Sequence, residues 1–114
     1  PSTLADLALR LDPASSPVPS RMRALQGLRA LATSAPHAAA VALLAKALAD
    51  DPSALIRHEA AYALGQTARL ELVMAPLLGS LDPEREGHAM VRHECAEALA
   101  AAAVGAAAAA AAAA

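Results

Sequence analysis

Two His-Glu dipeptides, His58-Glu59 and His93-Glu94, are the residues of this sequence best suited to chemistry. An imidazole nitrogen and a carboxylate oxygen are ligands that proteins use for transition metals. Two histidines and one carboxylate, with coordination positions left open, form the arrangement typical of non-haem Fe(II) sites that react with oxygen. The same ligands also accept zinc or manganese. The dipeptides therefore predict a metal site, provided that the fold brings them together.

The two dipeptides lie in a repeated segment. Residues 55–64 and 90–99 are identical at six of ten positions when they are aligned at an offset of 35. A further shift of 35 places Arg23-Ala24 on the His-Glu position, so the first unit lacks the dipeptide. A unit of this length is typical of stacked helix-pair repeats. We expect repeats at residues 21–50, 53–81 and 87 onward, preceded by a helix at residues 3–11.

Composition and proline spacing predict helices. Hydrophobic residues make up 57% of the chain, with no Phe or Trp, and most of them are the strong helix formers Ala and Leu. Residues 12–19 are predicted to be a turn or linker, and further breaks are expected at Pro36, Pro52 and Pro83. Pro76 is expected in the first turn of a helix or at a kink. The predicted fold is all-α, a solenoid of HEAT-like helix pairs.

In such a solenoid the two dipeptides occupy equivalent places, each in the second turn of the first helix of a unit. Neighbouring helix axes lie about 8–10 Å apart. The imidazoles of His58 and His93 could then converge on one ion, with a neighbouring carboxylate as the third ligand. The alternative is that the dipeptide occurs twice only because the repeat was duplicated. In that case the residues form hydrogen bonds between repeats and bind no metal.

The remaining candidates for chemistry are weaker. His88 is either an accessory ligand or, as we favour, a surface residue, and His37 is expected in solvent. Cys95 is expected to be a small buried side chain. The second histidine of a zinc-protease motif, a cysteine pair for a zinc finger, a Gly-rich phosphate loop and a Gly-x-Ser-x-Gly nucleophile elbow are all missing.

Charge and cysteine content limit the partners and the cellular compartment that we expect for this protein. The net charge is −2 and Lys46 is the only lysine, so we expect no nucleic-acid partner. A single cysteine and no signal peptide predict a cytoplasmic protein. Residues 101–114 are almost all alanine, which is too weakly hydrophobic for a membrane span. We expect one domain over residues 1–100 and an artificial or partly assigned tail over residues 101–114.

The segments around both dipeptides resemble the two His-Glu motifs of the deoxyhypusine hydroxylases. The likeness extends over residues 55–66 and 90–99, and residues 21–31 resemble that family's first repeat, which has no metal ligands. The resemblance covers about residues 4–99, and the residues that flank the dipeptides match as well as the dipeptides do.

This resemblance implies a fold of HEAT-like repeats in two similar halves, which together hold a di-iron centre. The family uses oxygen to hydroxylate the deoxyhypusine side chain of the precursor of translation initiation factor 5A. On this chain, an N-terminal half, the resemblance implies one Fe(II) bound by His58, His93 and Glu94. It also implies that Glu59 faces the amine of the substrate side chain.

The chain departs from the family pattern in two ways. The offset of 35 exceeds the family's usual spacing, and the extra residues are expected near residues 86–88, in a loop. After Leu99 the family would continue into its second half, so the resemblance implies the C-terminal half as a partner and predicts that this chain alone is inactive. Two other functions are considered: a non-catalytic HEAT-repeat interaction scaffold and, less favoured, a relative of the phycobilin lyases.

Overall fold

A computed structural model describes residues 3–34, 38–67 and 69–113. Within these residues the chain forms six α-helices and no strand, which confirms the all-α prediction. Pro36 and His37 lie outside the described residues. The helices are α1 (Leu4–Arg10), α2 (Val18–Ser34), α3 (Ala38–Asp50), α4 (Ala54–Gly65), α5 (Leu70–Gly79) and α6 (Ala89–Ala113).

The helices form two layers. One layer holds α2, α4 and α6 side by side, and the other holds α3 and α5, which lie in contact with each other. Helices α2 and α3 form one pair and α4 and α5 a second, while α6 packs on both α4 and α5. The short helix α1 packs on α2 at the other end. A slab of 46 × 36 × 17 Å results, two helices thick and open along its faces.

Three details of the helix bounds differ from the sequence-based predictions or refine them. Val18 and Pro19, assigned to the linker, begin α2, because proline is accepted in the first turn where its missing N–H has no partner. Pro76 lies in the second turn of α5, so the first-turn alternative is wrong. Helix α6 continues past residue 100, and Ala102 is still fully buried.

Small side chains allow α4 and α6 to approach closely. The buried face of α6 consists of Val91, Cys95, Ala98 and Ala102, at the three- and four-residue spacing of one helix stripe. At the end of α4, a Cβ atom on Gly65 would lie 2.8 Å from the Cα atom of Ala98. Glycine is therefore needed here for the approach of two backbones, and the same close packing joins the two helices that carry the dipeptides.

Two ion pairs with buried carboxylates connect successive units. Arg21 donates from Nε and Nη2 to the Asp51 carboxylate, at 3.0 and 3.2 Å, and from Nη1 to the Ser16 carbonyl at 2.6 Å. Arg57 repeats this arrangement one unit later, with the Glu86 carboxylate at 2.7 and 3.1 Å and the Asp51 carbonyl at 2.9 Å. Each arginine thus joins its own helix to the connection before its helix pair and to the connection after that pair.

These contacts correct the alignment of the first unit by one residue. Because Arg21 and Arg57 make equivalent hydrogen bonds, their offset is 36, and Met22-Arg23 occupies the position of His58-Glu59. Arg92 continues the series by donating from Nη1 to the Glu86 carbonyl at 2.8 Å. The first unit still lacks the dipeptide, as predicted, but Arg23-Ala24 is not its counterpart.

Among the described helices, α6 is the one that is long and apolar enough to cross a membrane. Length and composition alone are weak grounds for a membrane span, because core helices share both. The first half of α6 carries His93, Glu94 and Glu97 and packs on α4 and α5. This half belongs to the helical stack.

The close approach of α4 and α6 yields a stability prediction. We expect Gly65→Ala to lower the free energy of unfolding by about 1–3 kcal/mol, because the new methyl group meets backbone atoms that cannot move independently. Gly87→Ala is the control, since its Cβ would meet no atom within 4 Å. Urea denaturation of both variants measures the difference. Equal stability of the two variants would contradict the packing described.

Candidate metal centre

His58 lies in the second turn of α4, as predicted. The helix begins after Ser53, whose hydroxyl accepts a hydrogen bond from the Ile56 N–H at 3.4 Å and so caps the helix N-terminus. The His58 side chain is 31% exposed. Its Nε2 atom lies 3.3 Å from Oε1 of Glu94 on α6, and its Nδ1 atom lies 3.5 Å from Oε1 of Glu59. One imidazole therefore has a carboxylate on each side.

His93 lies in the second turn of α6 but has a different neighbour. Its Nε2 atom lies 3.0 Å from Oε1 of Glu97, one turn further along the same helix. Both side chains are mostly exposed, at 68% and 62%. Glu97 is not among the predicted site residues, although its four-residue spacing from His93 is the spacing at which helix side chains meet.

The structure brings together some of the predicted site residues and leaves others apart. His58 and Glu94 meet across the α4–α6 interface, and Glu59 lies beside His58. The His93 imidazole is directed to Glu97 and stands in solvent. Across residues 3–34, 38–67 and 69–113, no three His, Cys, Asp or Glu side chains are grouped as a complete metal site. His88, just before α6, is exposed, as favoured from the sequence.

The His58–Glu94 pair fits two adjacent ligands of one metal ion. Metal–ligand bonds to nitrogen and oxygen are about 2.1 Å long, so ligands at right angles lie about 3.0 Å apart. The observed separation of 3.3 Å between Nε2 and Oε1 is close to that value. The pair also supplies one nitrogen and one oxygen donor, the combination expected of the site. His93 would have to turn away from Glu97 to become the third ligand.

Two glutamates near the interface have pKa values shifted in opposite directions. Burial raises the pKa of Glu94, and the negative charges of Glu97 and Glu59 raise it further, against the opposing effect of nearby histidines. Burial also raises the pKa of Glu86, but hydrogen bonds from Arg57 and from the His88 N–H outweigh it and hold that pKa below its ordinary value.

Cys95 takes no part in the site. The side chain is fully buried on the packed face of α6, in agreement with its predicted role. Burial, with the charges of Glu86 and Glu94, raises the pKa of the thiol to about 11. The thiol therefore stays protonated at neutral pH and is a poor nucleophile.

Two grooves flank Tyr62 on the face that carries the dipeptides. One lies between α2 and α4 and includes Arg29 and Glu59 in its lining, and the other lies between α4 and α6 and includes Glu94 and Glu97. The Arg29 guanidinium lies 5.8 Å from the centre of the Tyr62 ring, a distance typical of cation–π contacts. The grooves place exposed carboxylates and an aromatic ring beside the His58–Glu94 pair.

The opposite shifts of Glu86 and Glu94 yield a pH prediction. Titration followed by carboxyl ¹³C chemical shifts should place the pKa of Glu94 above, and that of Glu86 below, the ordinary value of 4.5. Because the Glu86 pKa is lowered on folding, its contribution to stability is complete above the unfolded-state pKa and is lost as the pH falls through the folded-state pKa. The pKa of Glu94 is raised on folding instead, so protonation of Glu94 favours the folded chain. A reversed order of the two pKa values would contradict this.

Several curated proteins that match the chain carry the name deoxyhypusine hydroxylase. The chain is 42% identical over 105 residues to the deoxyhypusine hydroxylase of Chaetomium globosum, which covers 88% of the chain and 30% of that protein. It is 42% identical over 92 residues to deoxyhypusine hydroxylase-B of Oryza sativa subsp. japonica, covering 81% of the chain and 28% of the relative. The Arabidopsis thaliana deoxyhypusine hydroxylase is 41% identical over 95 residues, covering 83% and 28%.

No protein-family model and no solved structure matches the chain. The matched stretch is about 30% of the length of these curated relatives, which is less than the half that the resemblance implies. Identity near 40% extends over most of residues 1–114, well beyond the two His-Glu segments. The chain is therefore homologous to the deoxyhypusine hydroxylases over about 30% of their length.

Proposed function

We propose that this chain is the part of a deoxyhypusine hydroxylase that provides one metal-binding pair of His-Glu motifs. The complete enzyme would use molecular oxygen to hydroxylate the deoxyhypusine side chain on the precursor of translation initiation factor 5A. The matched relatives carry the name of this enzyme, and the chain spans about 30% of their length. We further propose that it is the N-terminal part, built of HEAT-like repeats, and needs the rest of the enzyme for activity.

The observation that carries the proposal is the meeting of His58 and Glu94. They come from different repeats, lie 3.3 Å apart and are positioned by two helices that pack closely. Contact between the histidine of one repeat and the glutamate of the next supports the role of both as ligands of one ion. We assign His58, Glu94 and, after rotation of its side chain, His93 to one Fe(II). When bound, iron would activate oxygen for insertion into a C–H bond.

The other residues near the pair have roles that follow from their charge and exposure. Glu59 is 39% exposed beside His58, so its carboxylate can pair with a protonated amine of the substrate side chain. Partial burial of Glu94, which is 12% exposed, limits the water around that ligand and strengthens its interaction with a cation. Glu59 would therefore bind the substrate amine, and Glu94 would bind the metal.

A non-catalytic scaffold is the second candidate, and one observation favours it. The exposed His93–Glu97 pair forms within a single helix and faces solvent, as surface residues of an interaction protein would. The two candidates differ in what the histidines do. A scaffold would tolerate their replacement, whereas a metal site would not.

Iron stoichiometry separates these candidates. We expect the chain, loaded anaerobically with Fe(II) and desalted, to retain close to one iron, and the His58→Ala/His93→Ala variant to retain none. Loss of both imidazoles removes two of the three proposed ligands. Bound metal is measured by mass spectrometry of the desalted protein.

The matched control is His88→Ala, because His88 is an exposed histidine near α6 that we do not assign to the site. It should retain as much iron as the unaltered chain. Equal iron in the double variant and the unaltered chain, or no iron in any of the three, would contradict the metal site and favour the scaffold.

Activity is expected only from the complete enzyme. The chain alone should give no hydroxylation of the deoxyhypusine-containing precursor, because it spans about 30% of its relatives and supplies one set of ligands. Mass spectrometry of the precursor would detect the added oxygen atom, with the Arabidopsis thaliana relative as the positive control. Turnover by the chain alone would disprove its dependence on the remainder.

A further inference from the structure

The Glu86 carboxylate is buried in the connection between α5 and α6, with every polar contact made by residues near the dipeptides. Its side chain is 4% exposed. Arg57 donates to both of its oxygens, at 2.7 and 3.1 Å, and the His88 N–H donates to Oε2 at 3.0 Å. A carboxylate held by three donors out of water has little freedom to move.

Glu86 connects the two helices that carry the site. On one side, Arg57 directly precedes His58 on α4. On the other, the backbone carbonyl of Glu86 accepts a hydrogen bond from Nη1 of Arg92, which directly precedes His93 on α6. The start of α6 is therefore fixed to the start of α4 through one residue, at the end of the interface where His58 meets Glu94.

The rest of the α4–α6 interface consists of apolar packing. Val91 and Cys95 are fully buried near this end, and Ala98 and Ala102 pack toward the far end of α4. Such burial is not directional. The bidentate contact of Arg57 with Glu86 is directional, because a planar guanidinium fits a carboxylate in one geometry. A slide of 1 Å along the interface would be enough to separate the His58 and Glu94 atoms, now 3.3 Å apart, from a metal-binding distance.

We propose that Glu86 is a positioning residue of the His-Glu metal site, which it serves by holding α6 against Arg57 so that Glu94 meets His58. This inference rests on the proposed function, because it assigns Glu86 a role toward the metal that His58 and Glu94 would bind. Glu86 itself is not a ligand, since both of its oxygens are occupied by donors.

The chain contains a matched control for this proposal. Asp51 and Arg21 form the same kind of pair one unit earlier, with side chains that are 2% and 6% exposed. This pair joins α2 to the start of α4 and does not include α6. Its arginine is followed by Met22-Arg23 instead of a His-Glu dipeptide. Asp51→Asn alters only the side chain and keeps the carbonyl that accepts from Arg57, so it should lower stability without changing the position of Glu94 relative to His58.

The test is a titration of the folded chain with Co(II), a spectroscopic stand-in for Fe(II), followed by visible absorbance. Glu86→Gln should weaken Co(II) binding by at least about tenfold, the usual effect of altering residues that orient metal ligands. Asp51→Asn, which is equally conservative, should stay within about twofold of the unaltered chain. Circular dichroism and urea denaturation establish that each variant is folded under the conditions used.

A second variant tests the same contact in case Glu86→Gln does not fold. Arg57→Lys keeps the positive charge beside Glu86 but cannot reach both of its oxygens and the Asp51 carbonyl together. It should weaken Co(II) binding to an intermediate degree. If Glu86→Gln is unfolded, the Arg57→Lys result decides.

Each outcome has one meaning. Weaker Co(II) binding in Glu86→Gln and Arg57→Lys, with Asp51→Asn unchanged, supports the proposal. Unchanged binding in folded Glu86→Gln, or equal weakening in Asp51→Asn, overturns the positioning role while the metal site stands. No Co(II) or Fe(II) binding by the unaltered chain overturns the proposed metal function, and the role of Glu86 with it.

Discussion

The buried arginine–carboxylate pairs are the interactions on which the arrangement of the helices depends. A core of alanine and leucine provides burial but little direction, because the hydrophobic effect is not directional. Arg21 and Arg57 add direction, since each guanidinium joins a carboxylate and a backbone carbonyl from two different connections. Burying charges is costly in itself, but satisfying nearly every donor and acceptor offsets that cost and selects one arrangement.

This constraint explains why the candidate site combines buried and exposed groups. Near the connection, α4 and α6 are held so closely that Glu94 is largely removed from water, which raises its pKa. One residue or one turn away, Glu59 and His93 reach solvent. The same interface therefore provides a sheltered oxygen donor on Glu94 and, close by, the accessible side chains of Glu59 and His93. This arrangement suits a site that must hold a cation and admit a substrate.

Much of the fold could be predicted from the sequence, because its signals are local. The helical repeat follows from the offset of 35, and the placing of His58 and His93 in the second turn of their helices follows from where the apolar pattern begins. The ion pairs between units could not be predicted, since they join residues that are distant in sequence. Asp51 and Glu86 are acidic residues next to a proline and a glycine, which is the usual composition of an exposed turn, yet both are buried by arginines about thirty residues away.

The orientation of His93 could not be predicted for a different reason. Its imidazole has two carboxylates within reach, Glu94 beside it and Glu97 one turn later, and the choice between them is a matter of side-chain rotamers. The alignment of the first unit is wrong for another reason: the first and second units are 36 residues apart, whereas the second and third are 35 apart. Only the contacts of Arg21 distinguish the two offsets.

The spacing between each anchoring carbonyl and its arginine determines where the connections can change in length. Asp51 precedes Arg57 by six residues and Glu86 precedes Arg92 by six, so the second and third units share this length, whereas Ser16 precedes Arg21 by five. Natural insertions, affinity tags or labels should therefore be tolerated around Pro83, whereas a single residue added between Glu86 and the start of α6 would turn the metal-facing side of that helix by about 100°.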